Sequence, residues 1–399
     1  MNILVIYPNG NALNPHSGAE TRFWNLNYAL TNLKFNVTVL HSLNSKDFED
    51  ETLKKRCANV FYIKSLKFLG LSDFYFTDLN PFFILKLYQI LRKERFDFIL
   101  VEFPWGFLMT KFLARKYTVL IYESQGIESE FVEIAAINPK FPKFFKPFAK
   151  LYGKIYEKLV CKFADAVICV SKIDRDYYEQ NYRIDKSKMI LIQTPSTLKH
   201  QNLQRTDSLR NKCRKKLNLP LNKTIVLFHG GLPHPPNQQA FDLIKNYISP
   251  NVNDPDILFV LAGHNVKDFK KNNIISLGFV SNLRDLLYSA DFAIVPLISG
   301  SGMRIKCIDY IITALPFITT KKGIEGIDFV TPNEDYIVYD SVDDNFIEGI
   351  LNLHRNKELR LNLHNNLLKK SNIHNREKFE NKLFKLFEKL ILLRENYKK

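Results

Sequence analysis

Residues 296–326 read PLISGSGMRIKCIDYIITALPFITTKKGIEG, the order of a strand end, a glycine-rich turn, a helix, a short strand and a second glycine turn. The apolar run 293–297 contains a proline near its end, which predicts that a buried parallel strand ends there. The Ser-Gly-Ser-Gly turn at 299–302 then exposes backbone N–H groups directly before a helix. Because unpaired amides and the positive end of a helix point the same way, this arrangement predicts an anion-binding site.

Three charged side chains follow this turn on the predicted helix. Arg304 and Lys306 place two cations on its opening turn, where the helix dipole disfavours them and where a bound di-anion would offset that cost. Asp309 follows on the same helical face, and its carboxylate can accept two hydrogen bonds from a ribose diol. The pattern favours a nucleotide site over the alternative of a helix N-terminus with ordinary solvated charges.

The same stretch resembles the donor-site signature of the GT-B glycosyltransferases of family 4, in particular members with a Pro-Leu-x-x-Gly-Ser-Gly-x-Arg-x-Lys run. Such members usually carry two glutamates, one at the glycine turn and one on the helix. Aligned on the helix, these positions are Ser301 and Asp309, so the second carboxylate survives in shortened form and a hydroxyl replaces the first. The resemblance makes four residues candidates for donor binding: Ser301, Gly302, Asp309 and, in the second glycine turn, Glu325.

This resemblance implies an α/β fold with two Rossmann-like domains facing each other across a cleft. The implied reaction moves a sugar from a nucleotide-sugar donor to an acceptor hydroxyl with retention of the anomeric configuration. The expected acceptor is a lipid-linked or cell-surface glycan precursor. The expected process is glycan biosynthesis, including protein glycosylation. Arg304 and Lys306 are the candidate catalytic cations for the departing diphosphate, so neither a metal nor a cofactor beyond the nucleotide-sugar is expected. A competing hypothesis is a catalytically reduced GT-B protein that acts as a basic membrane or nucleic-acid binding module.

Length and composition agree with a two-domain protein that has an anionic partner. A chain of 399 residues is too long for one typical core. Its 46% hydrophobic and 25% charged residues are ordinary for a globular protein. The net charge of +16 predicts binding to nucleotide phosphates, an anionic membrane surface or nucleic acid. The five cysteines lack any Cys-x-x-Cys spacing, which argues against a zinc site or a disulfide framework.

The N-terminal stretch MNILVIYPNG is a short apolar run without a basic leader, which predicts a first strand and not a signal peptide. No apolar run approaches the ~20 residues that are needed to span a bilayer. These features predict a cytoplasmic protein, either free or peripheral on the cytosolic face of the cell membrane.

Residues 2–40 predict a first strand–helix–strand unit. The loop before its helix reads Gly18-Ala-Glu20, which resembles the family's Gly-Gly-Ala-Glu loop with Ser17 in place of the first glycine. In the family this loop touches the transferred sugar or the acceptor, so Gly18 and Glu20 are candidate substrate-binding residues. The alternative is a plain turn between a strand and a helix.

Two further buried strands are predicted at 96–103 and 118–122, and the sequence ESQGIE follows the second. Family members usually carry a histidine here, followed by Asn or Gly and then Glu, and that histidine contacts the donor sugar near the reacting centre. The aligned residue is Gln125, a candidate catalytic residue. Its amide can hydrogen-bond a sugar hydroxyl but cannot take a proton.

Residues 135–163 are unusual, because lysines alternate with phenylalanines and prolines before an amphipathic helix. Surfaces of this kind bind anionic lipid headgroups with the rings at the interface, so an anionic membrane is the expected partner. Nucleic acid, bound through phosphate contacts and stacking rings, is a less favoured partner. A third interpretation is a helix that packs its rings into the core while its lysines face water. The membrane hypothesis rests on these side chains: Lys140, Lys143, Lys146, Lys150, Phe141, Phe144, Phe145 and Phe148.

Composition and motif order predict the domain boundaries. Residues 1–195 form an N-terminal Rossmann-like acceptor domain, residues 196–215 a polar and basic linker, and residues 216–375 a C-terminal Rossmann-like donor domain. The amphipathic helix within 376–399 is expected to return to the N-terminal domain, as it does in GT-B proteins.

The C-terminal domain opens with a predicted strand at 224–228, a His-Gly-Gly turn and the segment LPHPPNQQAFDLI, which matches the Pro-Pro-Asn subgroup of the family. Gly230 and Gly231 would let the backbone approach the donor diphosphate. Many family members carry an Arg and a Lys shortly after this turn. Since this sequence lacks them, Arg304 and Lys306 are the better candidates for phosphate binding.

Further strands are predicted at 257–262, 274–280 and 291–296. In the family, backbone beside the second of these strands holds the nucleotide base. By that resemblance Phe279 and Val280 are candidate base-binding residues.

Two weaker patterns point to surface turns. The Asp-x-Asp sequences at 174–176 and 254–256 match the metal motif of the other major glycosyltransferase fold, but one begins a helix and the other precedes a strand behind a proline. We interpret both as turns or helix caps. His229 and His234 lack a partner at metal-ligand spacing and are expected to be solvated or packed against rings, so no metal site is predicted.

Overall fold

The structure is a computed structural model of the chain. It describes residues 1–8, 18–42, 51–64, 67–68, 71–137, 141, 143, 146–196, 198, 205–232, 234–373 and 375–398. The chain divides into two compact units. Unit 1 comprises Met1–Thr194, Ser301–Met303 and Arg376–Lys399, and unit 2 comprises Pro195–Gly300 and Arg304–Asn375.

Short strands and helices alternate along both units. The strands are β1 Asn2–Tyr7, β2 Asn36–Ser42, β3 Asn59–Ile63, β4 Lys67–Phe68, β5 Leu71–Ser72, β6 Phe98–Glu102, β7 Val119–Glu123, β8 Ala166–Cys169, β9 Met189–Leu191, β10 Thr224–His229, β11 Ile257–Ala262, β12 Phe269–Lys271, β13 Ile274–Ser276, β14 Phe292–Val295, β15 Phe317–Thr320 and β16 Ile337–Tyr339.

The α-helices cover the faces of the sheets, and shorter 3-10 or π-helical segments connect some of them. The helices are α1 Gly18–Asn32, α2 Glu51–Arg56, α3 Pro81–Lys93, α4 Phe107–Leu113, α5 Glu128–Ile137, α6 Lys146–Phe163, α7 Lys172–Tyr177, α8 Asp207–Lys216, α9 Pro235–Leu243, α10 Ser249–Asn251, α11 Leu283–Ser289, α12 Ile305–Ile312, α13 Asp344–Arg355, α14 Lys357–Lys370 and α15 Arg376–Lys398.

Unit 1 is built on a parallel sheet of seven strands in the order β3-β2-β1-β6-β7-β8-β9. Successive side chains of β1 enter two different cores. Ile3 and Val5 pack with side chains of α1 and α15, whereas Leu4 and Ile6 pack with side chains of α3 and α4. The central strands are therefore apolar at nearly every position, as parallel strands covered on both faces must be.

Unit 2 repeats this plan with the strand order β12-β13-β11-β10-β14-β15-β16. Its neighbouring strands are parallel except for the antiparallel pair of β12 and β13 at one edge. Helices precede and follow its parallel strands, which is the layered architecture of a Rossmann-like domain. The predicted α/β class with two Rossmann-like domains is confirmed.

The strand predictions agree closely with the observed bounds. The strand predicted at 257–262 is β11 itself, and the strand predicted at 224–228 is β10, which continues to His229. The strand predicted at 274–280 is shorter and ends at Ser276. It ends there because Gly278 adopts a φ of +61°, a left-handed conformation that leaves the strand geometry.

One part of the membrane hypothesis is wrong. The Phe141 side chain is only 3% exposed and belongs to the core that contains Ile3 and Val132, so its ring is unavailable to a lipid surface. The hypothesis treated every ring of the alternating segment as exposed, whereas this one contributes to the apolar burial of unit 1. Lys140, Phe144 and Phe145 lie outside the described residues.

The predicted linker also differs from the structure, because its second half is α8 of unit 2. The guanidinium of Arg214 on this helix is buried and donates to the carbonyl oxygens of Ser289 and Lys223, at 2.9 Å each. It also forms a 2.6 Å ion pair with Asp291. Arg214, a basic residue of the predicted linker, is therefore an anchor between the helix and the sheet.

We expect Arg214→Met to lower the free energy of unfolding of unit 2 by about 3–5 kcal/mol, because it removes the buried ion pair with Asp291 and leaves several carbonyl oxygens without their donor. Arg210→Met is the matched control. Arg210 contacts the same carboxylate but is 32% exposed, so its loss should cost about 0–1 kcal/mol. Urea unfolding followed by circular dichroism measures both changes, and similar values for the two variants would contradict the anchoring role.

Candidate functional site

The candidate donor site of unit 2 lies at the carboxyl edge of its sheet. β10 pairs in parallel with β14, and β14 pairs in parallel with β15, so the three strands end at the same edge. The turns that follow them contain Gly230 and Gly231, then Ser299 and Gly300, and, after β15, Glu325. Ligands of open parallel sheets bind at this edge.

Lys306 lies beside the first of these turns. Its Nζ donates a hydrogen bond of 2.7 Å to Oδ1 of Asn237 and stands 4.2 Å from the centre of the Phe228 ring. The Nδ2 of Asn237 donates in turn to the carbonyl oxygen of Gly231 at 2.8 Å. A Cβ on Gly230 would lie 2.9 Å from the Lys306 ammonium, so the glycine leaves the space that this group occupies. Sequence reasoning did not single out Asn237, although the Pro-Pro-Asn motif that contains it was recognised.

The pKa of Lys306 is lowered to about 7, chiefly by burial and in smaller part by the nearby Arg304 guanidinium. A buried ammonium without an anionic partner is disfavoured, since it loses hydration and gains no compensating charge. A phosphate group beside it would reverse this balance and restore the proton. The site is thus electrostatically suited to an anion.

Arg304 lies directly before α12 and is buried. Its Nε donates to the carbonyl oxygen of Lys322 at 3.3 Å, and the Lys322 ammonium pairs with Glu325 at 2.7 Å. Gly300, with φ +107°, is close enough that a Cβ there would lie 3.2 Å from a guanidinium nitrogen. Both predicted residues, Arg304 and Glu325, therefore contact Lys322, the first through its backbone and the second through its side chain.

Asp309 is buried on α12, and both of its carboxylate oxygens have protein partners. The Ser196 hydroxyl donates to one oxygen, and Nε2 of His229 lies 3.3 Å from the other. The Nδ1 of His229 lies 3.0 Å from the Tyr310 hydroxyl, and the two rings pack edge to face. His229 is ring-packed as predicted, but sequence reasoning missed its contact with Asp309, which depends on the position of β10 beside α12.

The two candidate base-binding residues follow β13. The Phe279 ring is 63% exposed and meets the His264 ring edge-on at 6.4 Å, while Val280 is half-buried. Just before them, the carbonyl oxygen of Gly278 accepts a hydrogen bond from the amide of Gly263. This bond joins the ends of β11 and β13. The exposed Phe279 ring comes directly after it in the chain.

In unit 1, Gly18 and Glu20 form the first turn of α1. The sequence analysis places Gly18-Ala-Glu20 in a loop before the helix, whereas in the structure α1 begins at Gly18. Ser17 lies outside the described residues.

Gln125 follows β7 and is only 9% exposed. Its Nε2 donates to Oε2 of Glu102 at 2.6 Å. The segment Ser301–Met303 groups with this unit, where the Ser301 hydroxyl accepts a hydrogen bond of 3.0 Å from the Ile127 amide. Gly302 adopts φ +75°, and a Cβ on it would lie 2.2 Å from the Gln125 carbonyl oxygen. Three of the predicted residues thus lie within one short region of unit 1.

Besides Glu102, unit 1 has another buried carboxyl group, that of Glu157, which the sequence analysis did not single out. Glu157 on α6 accepts hydrogen bonds from the hydroxyl groups of Tyr122, Tyr178 and Tyr182 at 2.6–3.0 Å, and from the Glu128 amide at 3.2 Å. Burial raises the pKa of Glu157 to about 7 and that of Glu128 to about 8. In the sequence, Glu157 is a single glutamate within a basic and aromatic helix, and nothing local indicates that its side chain is buried.

α6 also carries an exposed face of mixed apolar and basic character. The exposed apolar side chains are spaced three or four residues apart, which places them on one side of the helix. They are Phe148, Leu151, Ile155, Leu159 and Phe163. The exposed lysines on the same helix are Lys150, Lys154, Lys158 and Lys162. We call these nine residues the α6 face.

The described part of the chain contains no group of three or more His, Cys, Asp or Glu side chains placed to hold a metal ion. None of its helices combines the length and apolarity that crossing a bilayer requires. The two Asp-x-Asp sequences are explained locally: Asp174 forms a capping box with Ser171, and Asp254 accepts the Asp256 amide in a turn.

The chain matches two family models. Residues 16–196 match the model described as Glycosyltransferase Family 4, and residues 223–356 match the model described as Glycosyl transferases group 1. No curated protein matches the chain by sequence.

Solved structures share the fold over nearly the whole chain. The sucrose-phosphate synthase of Thermosynechococcus elongatus is 15% identical with a TM-score of 0.76, and the alignment covers 98% of this chain and 99% of that one. Anabaena HepE in complex with UDP-glucose is 14% identical, TM-score 0.71, with 98% and 100% covered. WaaG, a glycosyltransferase involved in lipopolysaccharide biosynthesis, is 12% identical, TM-score 0.66, with 95% and 98% covered.

The two Rossmann-like units, the glycine turns at the carboxyl edge of unit 2 and the two matched models define a glycosyltransferase of GT-B fold. The chain belongs to the family 4-like members of that class, as the Gly-Ser-Gly-x-Arg-x-Lys run predicted.

We expect Lys306→Ala to weaken the binding of inorganic pyrophosphate at about pH 6 by at least about tenfold, because a charged hydrogen bond contributes about 1.5–3 kcal/mol. With a pKa lowered to about 7, the Lys306 amine is charged below that pH and increasingly neutral above it. The loss on substitution should therefore be smaller at about pH 8.5. Calorimetry at both pH values measures the change.

The matched control for this experiment is Lys321→Ala. Lys321 is 74% exposed and pairs with Asp340, so its removal should leave pyrophosphate affinity unchanged. The ionisation of the ligand itself is the same for both variants and cancels in the comparison. A loss at Lys306 that does not depend on pH would contradict the role of burial, and no loss at all would remove Lys306 from the site.

Proposed function

We propose that this glycosyltransferase moves a sugar from a nucleotide-sugar donor to an acceptor hydroxyl, with retention of configuration and without a metal ion. The observation that carries the proposal is the Lys306 ammonium, which Asn237 holds beside the Gly230–Gly231 turn. A cation next to a glycine turn suits the diphosphate of such a donor. The complexes of Anabaena HepE with UDP-glucose and with UDP support this donor class.

The chemistry requires stabilisation of the departing nucleoside diphosphate. In the proposed mechanism Lys306 and Arg304 meet that negative charge, and each preorganised donor of this kind lowers the barrier by about 3 kcal/mol. These two cations provide the charge neutralisation that a metal ion supplies in other transferases, which is why we propose metal independence. Retention of configuration is proposed from membership of the family and is tested by the anomer that forms.

The remaining donor contacts are assigned in the same way. Asp309 is proposed to bind the ribose. Its two present hydrogen-bond partners, Ser196 and His229, leave lone pairs unused, because a carboxylate offers about four acceptor sites. Phe279 and Val280 are proposed to contact the base, since the largely exposed Phe279 ring provides an apolar surface next to the strand ends.

The proposed acceptor is a lipid-linked or cell-surface glycan precursor at an anionic membrane surface. The support is the α6 face, which combines exposed apolar side chains with four lysines. Apolar burial at the interface and attraction to anionic headgroups act together on such a face. That WaaG takes part in lipopolysaccharide biosynthesis is in keeping with an acceptor of this kind.

The reaction is tested by incubating the protein with a panel of nucleotide-sugars and measuring the released nucleoside diphosphate, with and without EDTA. We expect slow hydrolysis of at least one donor, retention of the anomeric configuration in the product, and no effect of chelation. Lys306→Ala should lower the rate, since it removes a charge from the leaving-group site. Absence of release from every donor would contradict a nucleotide-sugar transferase, and loss of activity in EDTA would contradict metal independence.

Membrane attachment is tested by co-sedimentation with anionic and with neutral vesicles at low and high salt. We expect the wild type to bind anionic vesicles at low salt. Replacing the four lysines of the α6 face by Gln should reduce that binding at least about tenfold, because each lysine contributes about 1 kcal/mol near an anionic leaflet. Replacing Leu151 and Ile155 by Ser should also weaken it, because both side chains are exposed on the same face.

The matched control has the same change in net charge as the α6 variant, but its substitutions are at exposed lysines of unit 2. It replaces Lys212, Lys215, Lys270 and Lys271 by Gln. This control should bind vesicles like the wild type. If both sets of substitutions weaken binding equally, the attraction depends on net charge alone and the α6 face has no special role. Retention of RNA or DNA without any preference for vesicles would instead support the nucleic-acid alternative.

A further inference from the structure

A buried row of four polar side chains runs through unit 1 and ends at Gln125. It starts with Arg22 on α1, continues through Glu123 at the end of β7 and Glu102 at the end of β6, and reaches Gln125 two residues beyond β7. Glu102 and Glu123 are opposite each other in the parallel register of the two strands. The proposed mechanism above assigns no role to the first three of these residues.

Arg22 fixes the far end of this row. Its Nη1 donates to the Ile192 carbonyl oxygen at 2.8 Å and to the Thr194 hydroxyl at 2.9 Å, and its Nη2 forms a 2.6 Å ion pair with Glu123. Arg22 and Glu123 are both fully buried. Because the guanidinium is always charged and has no solvent around it, the paired Glu123 carboxylate is the group that carries the balancing negative charge.

Glu102 is the member of the row whose carboxyl pKa is raised well above its usual range, so it favours the neutral form. Burial raises the pKa of both carboxyl groups, Arg22 offsets part of that effect at Glu123, and the negative charge of Glu123 raises the pKa of Glu102 further. A neutral carboxyl group has one hydroxyl to donate and one carbonyl oxygen to accept. A neutral Glu102 can donate this hydroxyl to the adjacent Glu123 carboxylate. Its Oε2 accepts the hydrogen bond from Nε2 of Gln125 at 2.6 Å.

We propose that Glu102 is a positioning residue that holds the Gln125 amide in one orientation, with its nitrogen on Glu102 and its carbonyl oxygen left to accept a sugar hydroxyl. This role rests on the proposed function and on the family resemblance, which makes Gln125 the candidate contact of the transferred sugar. While the Glu102 hydroxyl is donated to Glu123, the reversed amide would place two acceptor oxygens against each other in a buried site, which is strongly disfavoured. Gln125 therefore offers the substrate an acceptor of fixed direction, and a fixed direction is what preorganised binding requires.

The kinetic test is a double-mutant cycle that uses the donor turned over by the wild type. Glu102→Leu removes the acceptor and should lower kcat at least about tenfold with little change in the donor KM. Glu102→Gln should stay within about threefold of the wild type, because its amide donates to Glu123 and its carbonyl oxygen accepts from Gln125, as the neutral acid does. In the Gln125→Ala background, Glu102→Leu should change kcat by less than about twofold.

Equal losses from Glu102→Leu in both backgrounds would show a general structural role and overturn the proposal. An unchanged kcat for Glu102→Leu, or for Gln125→Ala alone, would overturn it as well. If the leucine variant does not fold, Glu102→Ala takes its place in the cycle. A wild type that turns over no nucleotide-sugar counts against the proposed function and leaves the orientation of Gln125 to the second measurement.

That second measurement does not depend on activity. In protein labelled with ¹⁵N-glutamine, the side-chain amide signal of Gln125 is assigned by its absence in Gln125→Ala. We expect this signal to be protected from exchange with solvent in the wild type and in Glu102→Gln, and to lose that protection in Glu102→Leu or Glu102→Ala. An identical signal in all of these proteins would overturn the role of Glu102, whatever the enzymatic result.

Discussion

Parallel hydrogen bonding between neighbouring strands is the constraint on which the candidate residues of both units depend. In unit 2 it places the ends of β10, β14 and β15 at one edge, so that Gly230, Lys306 and Glu325 come from three separate stretches of sequence to one place. In unit 1 it places Glu102 beside Glu123 and leaves Gln125 just beyond them. Parallel strands are joined by crossover connections, so each strand at this edge is followed by a turn that leads into its crossover. These turns take no part in the strand pairing and can therefore carry binding residues.

Burial of charge gives these edges their chemical character. Lys306 in unit 2 and the carboxyl groups of Glu102, Glu128 and Glu157 in unit 1 all have pKa values displaced by burial towards the neutral form. The carboxyl groups are stabilised by hydrogen bonds within unit 1, from Gln125 to Glu102 for example. Among the described residues, the Lys306 ammonium contacts an amide oxygen and an aromatic ring. Of these groups, it is the one whose charge a ligand would restore.

Much of the fold could be predicted, because buried parallel strands and glycine turns leave strong local patterns. The strand at 257–262 was placed to the residue, and the Gly-Ser-Gly-x-Arg-x-Lys run identified the family. The buried polar partners could not be predicted. Asn237, Glu102 and Glu157 are ordinary polar residues in the sequence, and their roles depend on neighbours far away along the chain. Arg214 looked like part of a basic linker for the same reason.

The sequence by itself determined the α/β class, the two domains and the turn that follows β14, since hydrophobic runs and glycines act within a few residues of one another. It also predicted a basic and aromatic segment around α6. Only the tertiary structure decided which of those side chains remain exposed, with Phe141 in the core and Phe148 at the surface. It alone decided that Asp309 meets His229 and that Gln125 meets Glu102. Burial and hydrogen bonding between distant residues are set by the packing of whole elements, and no local pattern encodes them.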